Sequence, residues 1–412
     1  MAAAQQPCPP TMPGILDGLK VLDLTRIVAG PWCTQLLADM GATVLKIEKP
    51  GEGDDTRRMT PFMLDAQGQP TAESAVYLAV NRGKQSLTID IATPEGAALV
   101  RQLAARCDVL IENYKAGGLK KYGLDEPSIR AIKPDIVYCS LTGFGSDGPY
   151  AARPAYDFVM QGLSGLMSTI GHPGQAPVRT GVPITDVLTG LYTTIAVLGA
   201  VHHHHKTGEG QHLDMAMLDA AVATNGHLAL SYLMGHPPPQ PAGNSNPIAA
   251  PANVFACADG HLILSAGNNG QFAAMATVLG HPEWATDERF ATNAQRVRNR
   301  PALDAAIGQA TAPWAKADLV AACEAAGVPA GPIQQMDAVF ADPQVQHRGL
   351  QMSLPHASGV DVPSLRSPLR FSATPVAYSA PPQLGQHTDA VLAAELGLDE
   401  AALAHLRQQR VL

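Results

Sequence analysis

The chain has 412 residues, of which 46% are hydrophobic and 16% are charged, and this length is sufficient for two domains with large cores. Its net charge of −8 argues against nucleic acid or an acidic membrane surface as a partner, because both favour a basic surface. The start, MAAAQQPCPP, lacks the features of a signal peptide and predicts a flexible arm over residues 1–17. Six cysteines without CxxC spacing are typical of reduced thiols in a cytoplasmic protein.

Apolar strands alternate with amphipathic helices from residue 18 onward, which predicts an α/β fold with a parallel, doubly wound sheet. Strands are expected at residues 21–24, 43–47, 86–90, 109–111 and 136–139, with helices at 33–40 and 94–106. Residues 75–79 (AVYLA) resemble a further strand. The apolar run 187–201 is too short to span a membrane and predicts a buried core helix.

The alternation stops near residue 225, before a loop-rich stretch that contains HPPPQP at 236–241. This change predicts a large domain over residues 18–225 and a smaller α+β domain over 226–329. The small domain is expected to hold strands at 254–257 and 262–264, followed mainly by helices. After a break at 330–332, residues 330–412 are expected to return to the large domain.

Asp186 lies in the segment 181–190 (GVPITDVLTG), directly before the long apolar run. A carboxylate at the start of a hydrophobic helix loses hydration and lies near the positive helix end, which suits a nucleophile. A plain helix N-cap is the alternative. The four histidines at 202–205 are not expected to bind a metal, because successive helical residues point about 100° apart.

Eight motifs, in order along nearly the whole chain, resemble those of class III CoA-transferases, the formyl-CoA transferase/CaiB-BaiF family. They are GLKVLDLTRIVAGP at 18–31, ADMGATVLKIEKPG at 38–51, GDDTR at 53–57, NRGKQS at 81–86, VLIENY at 109–114, AYD at 155–157, the Asp186 segment, and KTGEGQ at 206–211. The resemblance implies a Rossmann-like large domain formed by both chain ends and a smaller domain between them. It also implies an interlocked homodimer, acyl-CoA and a free carboxylic acid as substrates, and no tightly bound cofactor.

In this family the aspartate attacks the donor thioester, so the resemblance implies that Asp186 forms an aspartyl anhydride and then an aspartyl-CoA thioester. The CoA site is implied at Val28, Ala29, Lys49, Asn113, Tyr114, Lys121 and Tyr122. A mobile lid is implied at Gly267, Asn268, Asn269 and Gly270, where formyl-CoA transferases are richer in glycine. Further charges for the CoA phosphates are offered by Arg57, Arg58, Lys84, Lys115 and Lys120, and solvated loop lysines are the alternative interpretation. NAD is not expected, because the turn at 26–32 (RIVAGPW) lacks GxGxxG.

Tyr156 and Asp157 distinguish two branches of the superfamily. α-Methylacyl-CoA racemases have a histidine at the position of Tyr156, and a tyrosine is a poor proton shuttle at neutral pH. Transferase chemistry is therefore favoured, with Asp157 as a helper carboxylate or a helix cap. The alternatives are a racemase or epimerase and a non-catalytic CoA-binding protein.

Segments such as 266–272 (AGNNGQF) and 327–333 (GVPAGPI) look most like the succinyl-CoA:glutarate (hydroxymethylglutarate) branch. A dicarboxylate acceptor reacts through one carboxylate and requires a positive partner for the other. Arg82 and Arg179 are the candidates, because a guanidinium binds a carboxylate through two hydrogen bonds. Structural ion pairs are the alternative for both.

Overall fold

The computed structural model describes residues 13–412, which fall into two compact units. Of the described residues, the first unit comprises 13–166, Thr180–Leu230 and Arg348–Leu412, and the second comprises Met167–Arg179 and Ser231–His347. The sequence-based boundaries at 226 and 330 differ from these, because the second unit also takes residues 167–179 and ends later. Residues 1–12, which include Cys8 and most of the expected arm, lie outside the described residues.

Thirteen strands and sixteen α-helices form the described part of the chain, separated by turns. The strands are β1 (Lys20–Leu24), β2 (Thr43–Glu48), β3 (Phe62–Leu64), β4 (Pro70–Ser74), β5 (Gln85–Thr88), β6 (Val109–Glu112), β7 (Val137–Thr142), β8 (His212–Ala216), β9 (Ala252–Cys257), β10 (Gly260–Ser265), β11 (Ala330–Pro332), β12 (Gln351–Leu354) and β13 (Val362–Leu365). The helices are α1 (Ala29–Asp39), α2 (Ala75–Val80), α3 (Pro94–Ala104), α4 (Glu126–Ile132), α5 (Asp157–Leu163), α6 (Ile184–Thr207), α7 (Met217–Thr224), α8 (Gly226–Leu233), α9 (Asn269–Val278), α10 (Asn293–Arg298), α11 (Arg300–Thr311), α12 (Lys316–Ala325), α13 (Met336–Ala341), α14 (Pro343–His347), α15 (Thr388–Leu396) and α16 (Glu400–Gln408).

A six-stranded sheet forms the centre of the first unit, in the order β5-β2-β1-β6-β7-β8. All five neighbouring pairs are parallel. The order of strands reverses between β1 and β6, and open α/β sheets bind ligands at the carboxyl ends of strands at such a reversal. The predicted α/β fold with a parallel central sheet is therefore confirmed.

Helices cover both faces of this sheet. Leu22, Leu45 and Leu110 lie in register on one face and pack with α3 and α15. Val21 and Val44 lie on the other face and pack with α1 and α6. Because successive side chains of a strand point to opposite faces, near-continuous apolar strands bury both faces, and this accounts for the doubly wound arrangement.

Helix α6 packs along α1, and the two helices lie close together at Gly190. A Cβ added at Gly190 would lie 2.7 Å from the carbonyl oxygen of Ala29 and 3.0 Å from the Cβ of Trp32, so glycine permits this separation. By length and composition α6 could cross a membrane, but core helices pass the same test, and half of its apolar stretch is buried within the molecule. The helix predicted at residues 187–201 is thus part of a longer one.

Residues 75–80 form helix α2, so the prediction of a strand there was wrong. The side chain of Ser74 accepts a hydrogen bond from the backbone N–H of Val76 at 3.2 Å and caps the first turn. A short apolar run does not by itself distinguish a strand from a buried helix. In this segment the N-cap favours the helix.

The second unit has an antiparallel sheet in the order β11-β10-β9, against which α9 to α12 pack. Its core contains a fully buried arginine, Arg296. The guanidinium donates hydrogen bonds to the carbonyl oxygens of Ala250 at 2.7 Å, Gly267 at 2.8 Å and Phe290 at 2.9 Å. Because a buried charge is costly unless its donors are satisfied, these bonds fix three segments of backbone around one side chain.

Candidate active site

A cavity of about 280 Å³ opens at the carboxyl edge of the parallel sheet, where β1, β6 and β7 end. All of its lining residues belong to the first unit. Six sequence-predicted site residues line it together: Val28, Ala29, Asn113, Tyr114, Tyr156 and Asp186. The fold therefore places residues from four separate segments of the chain around one space.

Asn113 joins the turn after β1 to the end of β6. Its amide nitrogen donates to the carbonyl oxygen of Arg26 at 2.7 Å, and its amide oxygen accepts from the N–H of Arg26 at 2.9 Å. Tyr114 is held by its own N–H, which donates to the carboxylate of Glu112 at 2.7 Å. This part of the cavity wall is thus fixed across the reversal of strand order.

The turn after β1 contains a strained residue, Ile27, with a backbone φ of 71°. A β-branched residue is rare in this left-handed region, so surrounding contacts must hold it there. The N–H of Ile27 donates to the carboxylate of Asp54 at 3.3 Å. Asp54 is itself buried and ion-paired with Lys46 at 2.9 Å. The turn therefore rests on a charge network that lies inside the fold.

That network has two lysines and two aspartates. Lys46 also donates to the carbonyl oxygen of Thr25 at 2.8 Å, and Lys84 donates to Asp23 at 3.1 Å. Burial opposes ionisation of Asp23, but Lys84 and Lys46 lower its pKa to about 2. Burial lowers the pKa of Lys84 to about 8, and its ammonium is fully buried. These buried lysines therefore stabilise the turn after β1 rather than bind a ligand.

Three positive side chains proposed from the sequence for anionic ligands lie in buried or half-buried ion pairs instead. Lys84 is in the network, and Arg57 donates to Glu48 at 2.7 Å. Arg82 makes a two-pronged pair with Asp39, at 2.8 and 2.5 Å, and it does not line the cavity. The structural ion pair is the interpretation that the geometry favours for Arg82. Sequence alone does not reveal this, because a basic residue after an apolar segment has the same pattern in both roles.

Asp186 is the third residue of α6, whereas Pro183 occupies the N-cap position. It is 9% exposed and faces the cavity, and within residues 13–412 its carboxylate accepts no hydrogen bond. Burial, together with the charge of Asp157, raises its pKa to about 7. A desolvated carboxylate without hydrogen-bond partners retains its electron pairs for attack, which favours the nucleophile over a structural cap.

Asp157 connects α5 to the first turn of α6. Its carboxylate accepts hydrogen bonds from the backbone N–H of Thr185 at 2.8 Å, from the Thr185 hydroxyl at 2.6 Å and from Gln161 at 2.7 Å. The Gln161 amide oxygen in turn accepts from the N–H of Thr180 at 3.0 Å. Asp157 thus caps the helix that carries Asp186, while its charge raises the pKa of the neighbouring carboxyl.

The raised pKa of Asp186 predicts a pH profile for the attack on a thioester. Only the ionised form is nucleophilic, so kcat/KM for the thioester should rise with pH and level off above about 7. Asp157→Asn removes the neighbouring negative charge, so the midpoint should move to lower pH. The measurement is kcat/KM from pH 5 to 9 for both proteins. A midpoint near 4 in the unaltered enzyme, or an unchanged midpoint in the variant, would contradict the assignment.

A second cavity, of about 300 Å³, lies at the ends of β1 and β2. The two cavities share Arg26, Asp55 and Tyr114. Lys49 and Tyr122 line the second one, and Lys49 forms an ion pair with Glu52. Lys121 lines neither cavity, and its ammonium lies 4.6 Å from the centre of the Tyr122 ring. Apart from Lys121, the CoA residues implied by the resemblance are thus divided between two cavities that share lining residues.

Five of the predicted site residues belong to the second unit: Arg179, Gly267, Asn268, Asn269 and Gly270. The side chain of Asn268 accepts from the N–H of Gln271 at 2.8 Å and caps α9. Arg296 holds the backbone of the segment through the carbonyl oxygen of Gly267 at 2.8 Å. Within its own unit, the expected lid is a short strand-to-helix turn with an N-cap and a buried anchor.

Three positive side chains line the first cavity, and two of them, Arg26 and Arg153, were not selected from the sequence, whereas Lys115 was offered there as a charge for the CoA phosphates. Arg26 pairs with Asp55 at 3.5 Å and lies 5.0 Å from the centre of the Tyr114 ring. All three follow the carboxyl ends of strands β1, β6 and β7. A position after parallel strands is the signal that could have identified Arg26 and Arg153.

Known proteins are similar to this chain over nearly its full length. The model of CoA-transferase family III matches residues 16–388. A succinate–glutarate CoA-transferase of Agrobacterium fabrum is 46% identical over 379 residues, which cover 92% of this chain and 95% of that protein. The human succinyl-CoA:glutarate CoA-transferase is 39% identical over 392 residues, covering 95% and 88%. A crystal structure of a CaiB/BaiF family protein from Brucella suis matches with a TM-score of 0.84 and 46% identity, over 93% of this chain and all of that one.

Proposed function

The chain belongs to CoA-transferase family III and is a CoA-transferase, and from this premise we propose that it transfers CoA from succinyl-CoA to glutarate. The proposal of these two acids is supported by relatives of 46% and 39% identity that are named for them. The observation that carries the chemistry is Asp186, a buried carboxylate without hydrogen-bond partners in the described chain that faces the cavity.

In the first half-reaction the Asp186 carboxylate attacks the carbonyl carbon of succinyl-CoA. The carbon–sulfur bond breaks, and an aspartyl-succinyl anhydride and the CoA thiolate result. The thiolate then attacks the aspartyl carbonyl carbon and releases succinate, which leaves an aspartyl-CoA thioester. The glutarate carboxylate reverses these steps and departs as glutaryl-CoA, so Asp186 is regenerated. Each half-reaction exchanges one thioester for another through a more reactive anhydride, and the protein must chiefly keep water from that anhydride.

CoA is a long molecule, and two cavities with shared lining residues can hold its two ends. The second cavity presents an aromatic side chain, Tyr122, and a positive one, Lys49, as an adenine and its phosphate require. Arg26 and Tyr114 border both cavities. We propose that the nucleotide lies in the second cavity and that the pantetheine arm passes Tyr114, so that the thioester reaches Asp186.

The direct test is to trap the covalent intermediate. Enzyme incubated with succinyl-CoA alone should carry a CoA adduct on the peptide that contains Asp186, and hydroxylamine should convert it to a hydroxamate, both visible by mass spectrometry. Radiolabelled CoA should then pass from succinyl-CoA to glutarate. CoA transfer without any adduct on Asp186 would contradict the mechanism, and absence of transfer to all acids tested would contradict the function.

The alternatives drawn from the sequence receive no support from the comparisons. The matched family and the named relatives above are CoA-transferases rather than racemases. A racemase would incorporate solvent deuterium at the α-carbon of a 2-methylacyl-CoA, and a non-catalytic protein would bind CoA without exchanging it. Neither result is expected here.

A homodimer is also part of the proposal. The first unit exposes large apolar side chains on three helices that pack against one another, α5, α6 and α7. They are Phe158, Val159, Leu163, Leu191, Tyr192, Ile195 and Val222. Ile195, in the middle of α6, is 66% exposed. Monomeric proteins rarely leave such surfaces uncovered, and we propose that a second copy of the chain covers this one.

If the two protomers are also interlocked, as the family resemblance implies, dissociation requires unfolding. We therefore expect sedimentation velocity to show a dimer down to nanomolar concentrations and the melting temperature to depend on protein concentration. Ile195→Glu should lower the dimer fraction, because it buries a charge at the contact. Glu209 is exposed and lies just after the end of α6, outside the apolar surface. Glu209→Ala is the matched control and should leave the dimer intact. A folded monomer of the unaltered chain at nanomolar concentration would contradict the proposal.

A further inference from the structure

Arg153 is an arginine of the first cavity without an ion-pair partner. Its guanidinium makes no hydrogen bond or salt bridge to any residue in 13–412, whereas Arg26 is paired with Asp55. It stacks on Tyr150, with its central carbon 3.7 Å from the ring centre. The ring of Tyr150 is itself held edge-on by Phe144, with 5.6 Å between centroids. Stacking fixes the plane of the guanidinium and leaves the donors along its edge available.

Arg153 lines the same cavity as Asp186 and is close in the chain to the residues that hold the helix of Asp186. It is three residues before Tyr156, which lines the cavity and precedes α5. Asp157, the first residue of α5, holds the first turn of α6 through Thr185. Arg153 lines only the first cavity, whereas Arg26 borders both and is the better placed of the two for a CoA phosphate.

We propose that Arg153 binds the distal carboxylate of the dicarboxylic acid whose other carboxylate reacts with Asp186. The inference rests on the proposed CoA transfer and assigns its acid specificity to a residue that the sequence did not single out. A guanidinium offers two parallel N–H donors that match the two oxygens of a carboxylate. A monocarboxylate has nothing to place there, and its methyl end leaves Arg153 unpaired. Acids with a second carboxylate are therefore preferred by the pairing they gain.

The same reasoning distinguishes Arg153 from Lys115, the other positive side chain of the cavity without a partner among residues 13–412. Lys115 follows directly after Tyr114, which borders both cavities, so its expected partner is the CoA moiety common to every substrate. Loss of Lys115 should affect all acids alike. Loss of Arg153 should affect only acids with two carboxylates.

The test compares glutarate with valerate, a monocarboxylate of equal carbon number, as acceptors in Arg153→Met and Lys115→Met. Arg153→Met should lower kcat/KM for glutarate by about tenfold to a hundredfold and leave the value for valerate within about twofold. Arg153→Lys should recover part of the loss, because it restores the charge but not the paired donors. Lys115→Met should lower both values equally.

A second measurement distinguishes failure of the Arg153 role from failure of the proposed CoA transfer. It is adduct formation on Asp186 with butyryl-CoA, whose acyl group has no distal carboxylate. It should be unchanged in Arg153→Met, which shows that the nucleophile and the CoA site are intact. Equal losses for glutarate and valerate in Arg153→Met, with CoA transfer intact in the unaltered enzyme, would overturn the role of Arg153 alone. Absence of adduct and transfer in the unaltered enzyme would overturn the proposed function itself.

Discussion

Replacement of Asp186 by Asn is expected to reduce kcat by about 10³-fold or more, because the amide cannot form the anhydride or the CoA thioester. Substrate binding should change far less, since the CoA moiety contacts other residues of the two cavities. The measurements are steady-state transfer from succinyl-CoA to glutarate and mass spectrometry of the peptide that contains residue 186. The variant should show neither activity nor adduct.

The same variant should be more stable than the unaltered protein at high pH. The unfolded Asp186 ionises with an ordinary pKa near 3.8, whereas in the folded protein its pKa is about 7. Between these values the folded state retains a proton that the unfolded state has lost, so stability falls as pH rises through this window. Asn does not titrate. We expect Asp186→Asn to raise the free energy of unfolding by about 2–4 kcal/mol at pH 8 and by little at pH 4.

Loss of activity together with a gain of stability at pH 8 would show that Asp186→Asn removes a reacting group and leaves the fold intact. An inactive variant that is also destabilised at pH 8 would show that the carboxylate supports the structure. Substantial turnover in Asp186→Asn, after deamidation to Asp has been excluded by mass spectrometry, would remove Asp186 as the nucleophile. Asp219, an acid on α7 that does not line the first cavity, provides a matched control through Asp219→Asn, which should keep full activity.

Arg82→Met is expected to destabilise the fold by about 3–5 kcal/mol rather than to change the choice of acid. The side chains of Arg82 and Asp39 are only 7% and 1% exposed, and they bind each other through two hydrogen bonds. Removal of the arginine leaves a buried carboxylate without its positive partner. Chemical unfolding at a fixed protomer concentration should show the loss, because the stability of a dimer depends on concentration.

A double variant provides the control. Arg82→Met combined with Asp39→Leu removes both charges, and it should recover most of the lost stability, because a buried ion pair contributes little net free energy over apolar residues of similar size. Arg153→Met, at an exposed arginine, should unfold like the unaltered protein. If Arg82→Met were fully stable and lost activity toward dicarboxylates only, the substrate role considered for Arg82 from the sequence would be restored.

The family and the central sheet could be predicted from the sequence because their signals are local and repeated. Strands β1, β2, β6 and β7 are short apolar runs, and their periodicity with intervening helices indicates parallel pairing. Strand β8 was not predicted, because its alternating sequence HLDMA follows a loop and lacks a long apolar run. The resemblance to class III CoA-transferases is confirmed by the family match over residues 16–388.

The site was predictable in part, for a physical reason. Val28, Asn113 and Asp186 occur in motifs and follow strand ends or begin a helix, so chain position indicates a role for each. The partners of charged side chains are set by tertiary contacts. Lys84 and Arg82 meet aspartates 61 and 43 residues away in the chain, and no local pattern distinguishes them from Arg153. Burial decides which positive charge can meet a ligand, and burial is known only once the sheet has been assembled.

The close contact between α6 and α1 has a consequence for protein engineering. Asp186 lies one helical turn before Gly190, whose close approach to Ala29 packs the nucleophile's helix against the start of α1, directly after the turn that follows β1. Four residues of the segment 151–155, which has no helix or strand, border the same cavity: Ala151, Arg153, Pro154 and Ala155. A library designed to broaden the range of acids should therefore vary 151–155 and keep position 190 as glycine. New acceptors would then be accommodated by an exchangeable loop, while the geometry of the reacting carboxylate stays constant.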